Sequence, residues 1–341
     1  MADYSSKMQD EPETGYVGGG DAAAEVRFMT ERGRQTGELY YWGVMSPEVP
    51  KILHSVRGAR VSHIAAGSDH VIVVTDEGGG RARFLPDIPE TKDPDEKDLI
   101  RTELGALEQG TAGIYRSAVG SNHTLVSTSQ GEVYAWGRGE QGQLGLPHAL
   151  GSPSPQLLAT LVGKNIVDIS AGESHSAAVA DNGGLYCWGS NAEGQCGIGK
   201  GVPFSTILTP RFVPSFLGVH IVRVSCGARF TACVTQEGEI WAWGEGGSGQ
   251  LGCGRYTRKL VPHLAAAASL TSDGAGFADV ACGWSHCLGL SRAGEVFSWG
   301  LNVHGQLGLG DTIKRHVPEE VIVTAVDDGT KLLFSQISAG K

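Results

Sequence analysis

Histidine recurs along this chain three residues after a glycine. Imidazole is a common metal ligand and a general acid and base near neutral pH, so a cluster of these rings would form a metal or catalytic site. The pattern comprises Gly67 with His70, Gly120 with His123, Gly172 with His175, and Gly283 with His286. Because each histidine belongs to a separate repeated unit, the rings lie too far apart to share one ion. We predict buried imidazoles bonded to neighbouring loops, and no metal site.

Three glycine-rich loops resemble nucleotide-binding sequences. Gly137–Gly142 and Gly244–Gly249 match Gly-x-Gly-x-x-Gly, and Gly194–Lys200 imitates a phosphate loop but has Gly201 in place of Ser or Thr. In a true dinucleotide or phosphate site the loop opens a helix whose N-terminus binds the phosphate. Here the loops occupy one repeated position and no helical pattern follows. We predict no cofactor and no catalytic residues.

The elements that carry these loops come from an internal repeat. A typical unit has a Gly-x-x-His turn, a second glycine eleven residues later, and a strand that ends in Trp-Gly, although Phe230 replaces the histidine after Gly227. The glycine pairs are Gly67 and Gly78, Gly120 and Gly131, Gly172 and Gly183, Gly227 and Gly238, and Gly283 and Gly294. Eleven residues suit two short antiparallel strands and a turn. With a preceding strand and a following Pro-containing strand, each unit has the size of a propeller blade. The predicted fold is all-β, a single β-propeller of four-stranded blades.

Two motifs identify a family. Gly142–Leu146 (GQLGL), Gly305–Asp311 (GQLGLGD) and Ser170–Ser176 (SAGESHS) resemble the repeat of the regulator-of-chromosome-condensation propellers. The resemblance extends from about Val26 to Gly340. That family includes the exchange factor for the GTPase Ran, a plant ultraviolet-B photoreceptor and many interaction modules.

The resemblance implies a partner-binding face beside the repeated histidines, since this face contacts the GTPase in the exchange factor. The corresponding residues are Asp69, His70, His123, Glu173, His175, Arg229 and His286. Trp284 matches a tryptophan position of the photoreceptor, but the sister units have other residues there, so we expect no photoreception.

Three features depart from the family pattern. The second unit lacks its Trp-Gly strand, an irregular acidic insertion occupies residues 86–110, and the sequence ends partway through a seventh unit. We predict an acidic, disordered tail over residues 1–23 and a propeller over residues 24–341.

Closure of the ring follows from the two ends of this pattern. The segment Leu333–Gly340 has a first-strand sequence, and Val26–Thr30 precedes the Trp42 strand. We predict that these strands share one sheet and clasp six blades. The alternative is a truncated ring of seven.

Composition excludes several functional classes. The net charge of −10 and the pI near 5.6 disfavour direct binding to nucleic acid or to a membrane surface. No apolar run is long enough to span a bilayer, and the first residues are polar rather than signal-like. Seven cysteines, an odd number, indicate reduced thiols. We therefore expect a cytoplasmic or nuclear protein.

Two basic clusters stand out from the acidic background at one loop position in consecutive units. They contain Arg255, Arg258 and Lys259 in one loop, and Lys314 and Arg315 in the next. They could be ordinary solvated loops or a docking patch for an acidic partner segment.

The leading functional hypothesis is a non-catalytic scaffold that binds protein partners through the propeller rims. The alternative is a guanine-nucleotide exchange factor for a small Ran-like GTPase, which rests on the resemblance alone. Such a factor needs a wedge that enters the nucleotide site. The candidate segments, residues 86–110 and Ala265–Gly276, do not look like a rigid wedge.

Overall fold

The computed structural model describes residues 113–199, 206–325 and 329–340 with their side chains, and strands alone before residue 113. These earlier strands are β1 (Thr14–Gly19), β2 (Ala22–Arg27), β3 (Tyr40–Gly43), β4 (Ser46–Ile52), β5 (Val61–Ala66), β6 (Val71–Thr75), β7 (Arg81–Leu85) and β8 (Ile100–Thr102). β5 to β8 form one four-stranded antiparallel sheet, while β1 pairs with β2 and β3 pairs with β4.

Four complete blades follow, each a four-stranded antiparallel sheet in chain order. Blade 3 contains β9 (Ile114–Val119), β10 (His123–Thr128), β11 (Val133–Gly137) and β12 (Ser152–Leu157). Blade 4 contains β13 (Ile166–Ala171), β14 (His175–Ala180), β15 (Leu185–Ser190) and β16 (Thr206–Phe212). Blade 5 contains β17 (Ile221–Cys226), β18 (Phe230–Thr235), β19 (Ile240–Gly244) and β20 (Lys259–Ala266). Blade 6 contains β21 (Phe277–Cys282), β22 (His286–Ser291), β23 (Val296–Gly300) and β24 (Arg315–Val321). Short 3₁₀ turns at Ala159–Leu161, Pro214–Phe216 and Ala268–Leu270 precede the first strands of blades 4, 5 and 6. The predicted all-β propeller of four-stranded blades is confirmed.

The hairpin between the second and third strands explains the eleven-residue spacing. In blade 4 the N–H of Gly183 donates to the carbonyl of Ala180 at 2.9 Å, and Gly183 has a φ of +79°. A side chain is strained in this left-handed conformation, so glycine is required at the turn. The second strand of blade 4 is buried along its whole length because it lies between neighbouring blades.

A carbonyl in each blade anchors the next blade. The indole Nε1–H of Trp188 donates to the carbonyl of Gln143 at 2.9 Å, and that of Trp243 donates to Gln195 at 2.8 Å. Trp299 repeats the bond to Gln250 at 2.9 Å. All three indoles are fully buried. A bond of this kind ties the Trp-Gly strand of one blade to the Gly-Gln-Leu-Gly loop of the blade before it.

The strand pairs observed near the two ends of the chain differ from the predicted sheet that joins the first and last strands. β1 supplies its own strand beside β2, and it lies within the segment that the sequence predicted to be disordered. At the other end, the N–H of Phe334 donates to the carbonyl of Gly294 at 2.8 Å, and the carbonyl of Gly340 accepts from the N–H of Trp284. Phe277 makes the matching bond to Gly238 one blade earlier. Residues 334–340 therefore take the place of a first strand beside blade 6, and the strand pairs described here do not join them to β1–β4.

Replacing Trp188 or Trp243 with Ala tests the blade assignment. Each change removes a fully buried side chain and its bond to the preceding blade, so we expect the free energy of unfolding to fall by about 3–5 kcal/mol. Urea unfolding followed by circular dichroism measures the loss. Trp284→Ala is the control, because that indole is 42% exposed and should matter much less. A loss below about 1 kcal/mol at the two buried sites would contradict the assignment.

Candidate functional site

The described repeated histidines His123 and His175 form hydrogen bonds to side chains of the next blade. His123 Nε2 lies 2.9 Å from Ser176 Oγ, and His175 Nε2 lies 2.9 Å from Thr231 Oγ1, each across a blade boundary. Each hydroxyl donates its only proton to the glutamine carbonyl that also accepts from the tryptophan. The imidazole must therefore donate from Nε2. A Cβ on Gly172 would overlap the ring of His175, which explains the Gly-x-x-His spacing.

Both histidines are buried, so their rings are not part of the solvent-exposed surface. His286 in blade 6 is partly buried, and desolvation lowers its pKa. Asp69 and His70 lie outside the described residues. Among the predicted face residues that the structure describes, Arg229 is exposed and Glu173 is partly exposed.

Glu173 and Arg229 form an ion pair across the boundary between blades 4 and 5. Arg229 Nε lies 2.8 Å from Glu173 Oε2, and this contact raises the pKa of the guanidinium. The pair borders a cavity of about 280 Å³ that also has Glu193 and Gln195 in its wall. Glu193 belongs to the loop between the third and fourth strands, whereas Glu173 lies in the turn between the first and second. The cavity therefore shows that these two kinds of loop share one face of the propeller.

This geometry unites two surfaces that the sequence treated separately. Arg258, from a predicted basic cluster, lies 3.7 Å from Glu193 through its Nη1 atom. Trp284 occupies, in blade 6, the turn position that Glu173 occupies in blade 4, and it is also exposed. The first turns, which carry Glu173, Arg229 and Trp284, and the loops that carry the basic clusters thus lie on one surface. We call this surface the loop face.

The basic part of the loop face has an aromatic centre that the sequence analysis missed. Lys314 Nζ lies 4.3 Å from the centroid of the Tyr256 ring. The His316 ring also packs against Tyr256, with centroids 5.0 Å apart and planes inclined at 51°. His316 Nδ1 is 3.2 Å from the Tyr256 hydroxyl. The N–H of Gly254 donates to the His316 carbonyl at 2.8 Å, which joins the loops of blades 5 and 6. We call Arg255, Tyr256, Lys314 and His316 the cation–aromatic patch.

The charge of Arg315 is already compensated within its own blade. Its guanidinium lies 2.7 Å from both Asp311 and Glu319, and these carboxylates raise its pKa. We therefore leave this predicted rim residue out of the patch. Lys259 is partly buried at the start of β20. Arg255 and Lys314 are exposed, and the ion pairs among the described residues do not include them.

A belt of alternating charge lines the first strands, and the sequence analysis did not identify it. Arg116, Asp168, Arg223 and Asp279 each stand four residues before the glycine of their Gly-x-x-His or equivalent turn. Arg116 Nε is 3.7 Å from Asp168, and Arg223 Nε is 3.9 Å from Asp279. The constant offset from the glycine was a signal that could have revealed the belt, because consecutive first strands lie side by side.

Asp168 is the most buried member of the belt. Burial raises the pKa of its carboxyl to about 6, against the opposing effects of the Val224 N–H and of Arg116. The N–H of Val224 in blade 5 donates to Asp168 Oδ2 at 3.0 Å. This carboxylate therefore ties two blades together at a cost in desolvation.

The described part of the chain has neither a metal-binding cluster nor a membrane-spanning helix. No group of three or more His, Cys, Asp or Glu side chains there is arranged to hold a metal ion. No described helix is long and apolar enough to cross a membrane.

Comparison with known proteins adds a family. The sequence model of the RCC1-like domain matches residues 86–341. The ultraviolet-B receptor UVR8 of Arabidopsis thaliana is 29% identical over 342 residues, which cover 86% of this chain and 77% of the receptor. The human E3 ubiquitin-protein ligase HERC2 is 30% identical over 283 residues, which cover 80% of this chain but 6% of the ligase.

Solved structures share the fold. Human WBSCR16 superposes with a TM-score of 0.74 at 23% identity, over 97% of this chain and 85% of that one. Yeast RCC1 (Prp20), solved with Kap60 bound, gives a TM-score of 0.71 at 19% identity, over 92% of this chain and 75% of that one.

The raised pKa of Asp168 predicts a pH-dependent stability. A carboxyl whose folded pKa lies above its unfolded value of about 3.9 stabilises the fold most below that value, and this contribution is lost as the pH rises through about 6. Between pH 4 and 7 the wild type should lose roughly 2 kcal/mol relative to Asp168→Asn, which does not titrate. Urea unfolding of both proteins across this range measures the difference. Parallel pH profiles would contradict the assignment.

Proposed function

The chain belongs to the RCC1-like domain family, and from this premise we propose that it is a non-catalytic scaffold that binds protein partners through its loop face. The observation that carries the proposal is the exposed, charged surface that continues across blades 4, 5 and 6. It includes the Glu173–Arg229 pair, Trp284 and the cation–aromatic patch. Tryptophan, tyrosine and arginine are the residue types most enriched among the side chains that dominate binding energy at protein interfaces.

The patch favours an acidic segment of a partner protein. The chain as a whole carries a charge of −10, yet Arg255 and Lys314 are exposed cations beside the Tyr256 ring. A carboxylate that approaches Lys314 would gain a charge-assisted contact, while the ring offers an apolar surface to a neighbouring side chain. We place this binding in the cytoplasm or nucleus, which the free cysteines support.

Reversing the charge of the patch tests this proposal. We expect the double variant Arg255→Glu/Lys314→Glu to bind a fluorescent peptide of alternating Glu and Phe about tenfold more weakly than the wild type, because two attractive contacts become repulsive. Added salt should weaken wild-type binding and narrow the gap between the two proteins. Fluorescence anisotropy measures both effects.

Lys164→Glu provides the matched control for the patch. Lys164 also lies over a tyrosine ring, with Nζ 5.8 Å from the Tyr186 centroid, but it belongs to the connections on the opposite face. This variant should bind the acidic peptide like the wild type. If the control and the double variant lost affinity for the peptide equally, the effect would be one of overall charge. That result would contradict the patch as a specific site.

Exchange-factor activity is the alternative. It would need an element that projects into the nucleotide site of the GTPase, and the described candidate segment does not project in this way. The segment Ala265–Gly276 is a compact connection on the face opposite Glu173. Thr271 Oγ1 donates to the Ala268 carbonyl at 2.9 Å, and Glu295 accepts from the Ser272 N–H at 3.1 Å. The other candidate, residues 86–110, lies outside the described residues except for β8.

We therefore predict no acceleration of nucleotide release from a Ran-type GTPase. The assay follows the fluorescence of a labelled guanine nucleotide bound to the GTPase after this chain and excess unlabelled nucleotide are added. A known exchange factor of the family is the positive control. An acceleration of about a hundredfold, which corresponds to roughly 2.7 kcal/mol in the release barrier, would overturn the scaffold proposal.

A further inference from the structure

Blade 6 places two thiols directly opposite each other on neighbouring strands. Cys282 ends β21 and Cys287 lies near the start of β22, and the two residues are partners in the strand register. Their Sγ atoms are 3.6 Å apart, and both are free thiols. The equivalent pairs in blades 4 and 5 are Ala171 with Ser176 and Cys226 with Thr231. Among these blades, the facing pair of thiols is specific to blade 6.

The backbone at this pair suits a disulfide. The N–H of Gly283 donates to the carbonyl of His286 at 2.9 Å, so the next pair along the ladder, Cys282 with Cys287, is of the non-hydrogen-bonded type. Pairs of this type have Cα atoms about 4.5 Å apart, which lies within the roughly 4.4–6.8 Å that disulfides span. Rotation of the two side chains is enough to bring the sulfur atoms together.

Cys287 also takes part in the contact between blades 5 and 6. Its Sγ donates to the Gln250 carbonyl at 3.4 Å, in the place where Ser176 and Thr231 donate their hydroxyl protons in earlier blades. Trp299 Nε1 donates to the same carbonyl. The thiol proton of Cys287 is therefore one of two side-chain donors that hold the Gln250 loop.

We propose that Cys282 and Cys287 form a reversible intramolecular disulfide on exposure to hydrogen peroxide, and that this bond releases the Gln250 loop from one of its two donors. Cys282 is 8% exposed and Cys287 is fully buried, so Cys282 is the thiol that meets the oxidant. Its sulfur attacks peroxide, the O–O bond breaks, and sulfenic acid and water form. The Cys287 sulfur then attacks the sulfenic sulfur, and its proton leaves with the displaced hydroxyl as a second water.

Loss of the Cys287 hydrogen bond would affect the loop face through the loop that contains Gln250. Gln250 lies in the loop that continues to Arg255 and Arg258, and the Gly254 N–H in this loop binds the His316 carbonyl. Once the sulfur of Cys287 has lost its proton it no longer donates to Gln250, and the anchor is reduced to the Trp299 bond. The oxidation site is thus connected to the cation–aromatic patch through the Gln250 loop. Formation of this disulfide does not depend on whether the patch binds a partner.

Peptide mapping of the full chain tests the bond. The protein is treated with hydrogen peroxide, quenched in acid, denatured and alkylated with N-ethylmaleimide. We expect the tryptic peptide that ends at Arg292 to lose the mass of two hydrogens and to escape alkylation, and dithiothreitol to restore both thiols. Two alkylated thiols, or a heavier peptide with an over-oxidised Cys282, would overturn the proposal.

Sister blades supply substitutions that should preserve the fold. Cys287→Ser introduces the residue that blade 4 carries as Ser176 and keeps a donor to Gln250, while Cys282→Ala introduces the residue of Ala171. Neither variant should form the bond. Cys253→Ser is the control, because Cys253 is the more exposed thiol and its loss should leave the cross-link intact. Loss of the cross-link in this control would contradict the pairing.

Hydrogen exchange tests the release of the loop. After oxidation, amide exchange over residues 249–258 should become severalfold faster, because one anchoring bond is gone. The loop around Gln195 is the internal control, since the Thr231 hydroxyl holds it and cannot be oxidised in this way. A cross-link that leaves exchange over residues 249–258 unchanged would overturn this part of the proposal.

Discussion

The glutamine carbonyl that faces the next blade is the contact on which the rest of the structure depends. A blade buries its faces only against its neighbours, so each boundary must be both apolar and fixed in register. The carbonyls of Gln143, Gln195 and Gln250 supply the register, because each accepts from a buried indole and from a second side chain across the boundary. A bare carbonyl in such a dry environment would be costly, and both donors are present at the three boundaries between blades 3 and 6.

This contact explains the one exception among the repeated histidines. The imidazole donates to the hydroxyl in the pairs His123–Ser176 and His175–Thr231. At the next boundary the hydroxyl is replaced by the thiol of Cys287, which is a poor acceptor, and the histidine is replaced by Phe230. The two substitutions belong together: where the acceptor is lost, an apolar ring fills the space that the imidazole occupies in the other blades.

The sequence was sufficient to predict the blades because their determinants are local and repeated. A hairpin needs its glycine at a fixed distance from the strands, and the tryptophan recurs in every unit except the second, so spacing alone revealed both. The charge belt was missed because its meaning depends on which first strands are neighbours in space. β1 was missed because Thr14–Gly19 is rich in glycine and lacks the repeated motifs. The compensation of Arg315 depends on the path of a loop, which spacing does not specify.

The rigid boundaries also determine where specificity can reside. Between the repeated glycine and the histidine position, each first turn has two residues whose side chains do not bond the glutamine carbonyls. They are Glu173 and Ser174 in blade 4, Ala228 and Arg229 in blade 5, and Trp284 and Ser285 in blade 6. These positions differ in charge and size from blade to blade while the anchors beneath them stay the same. The side chains at these positions can therefore differ from blade to blade while the bonds to the glutamine carbonyls stay in place.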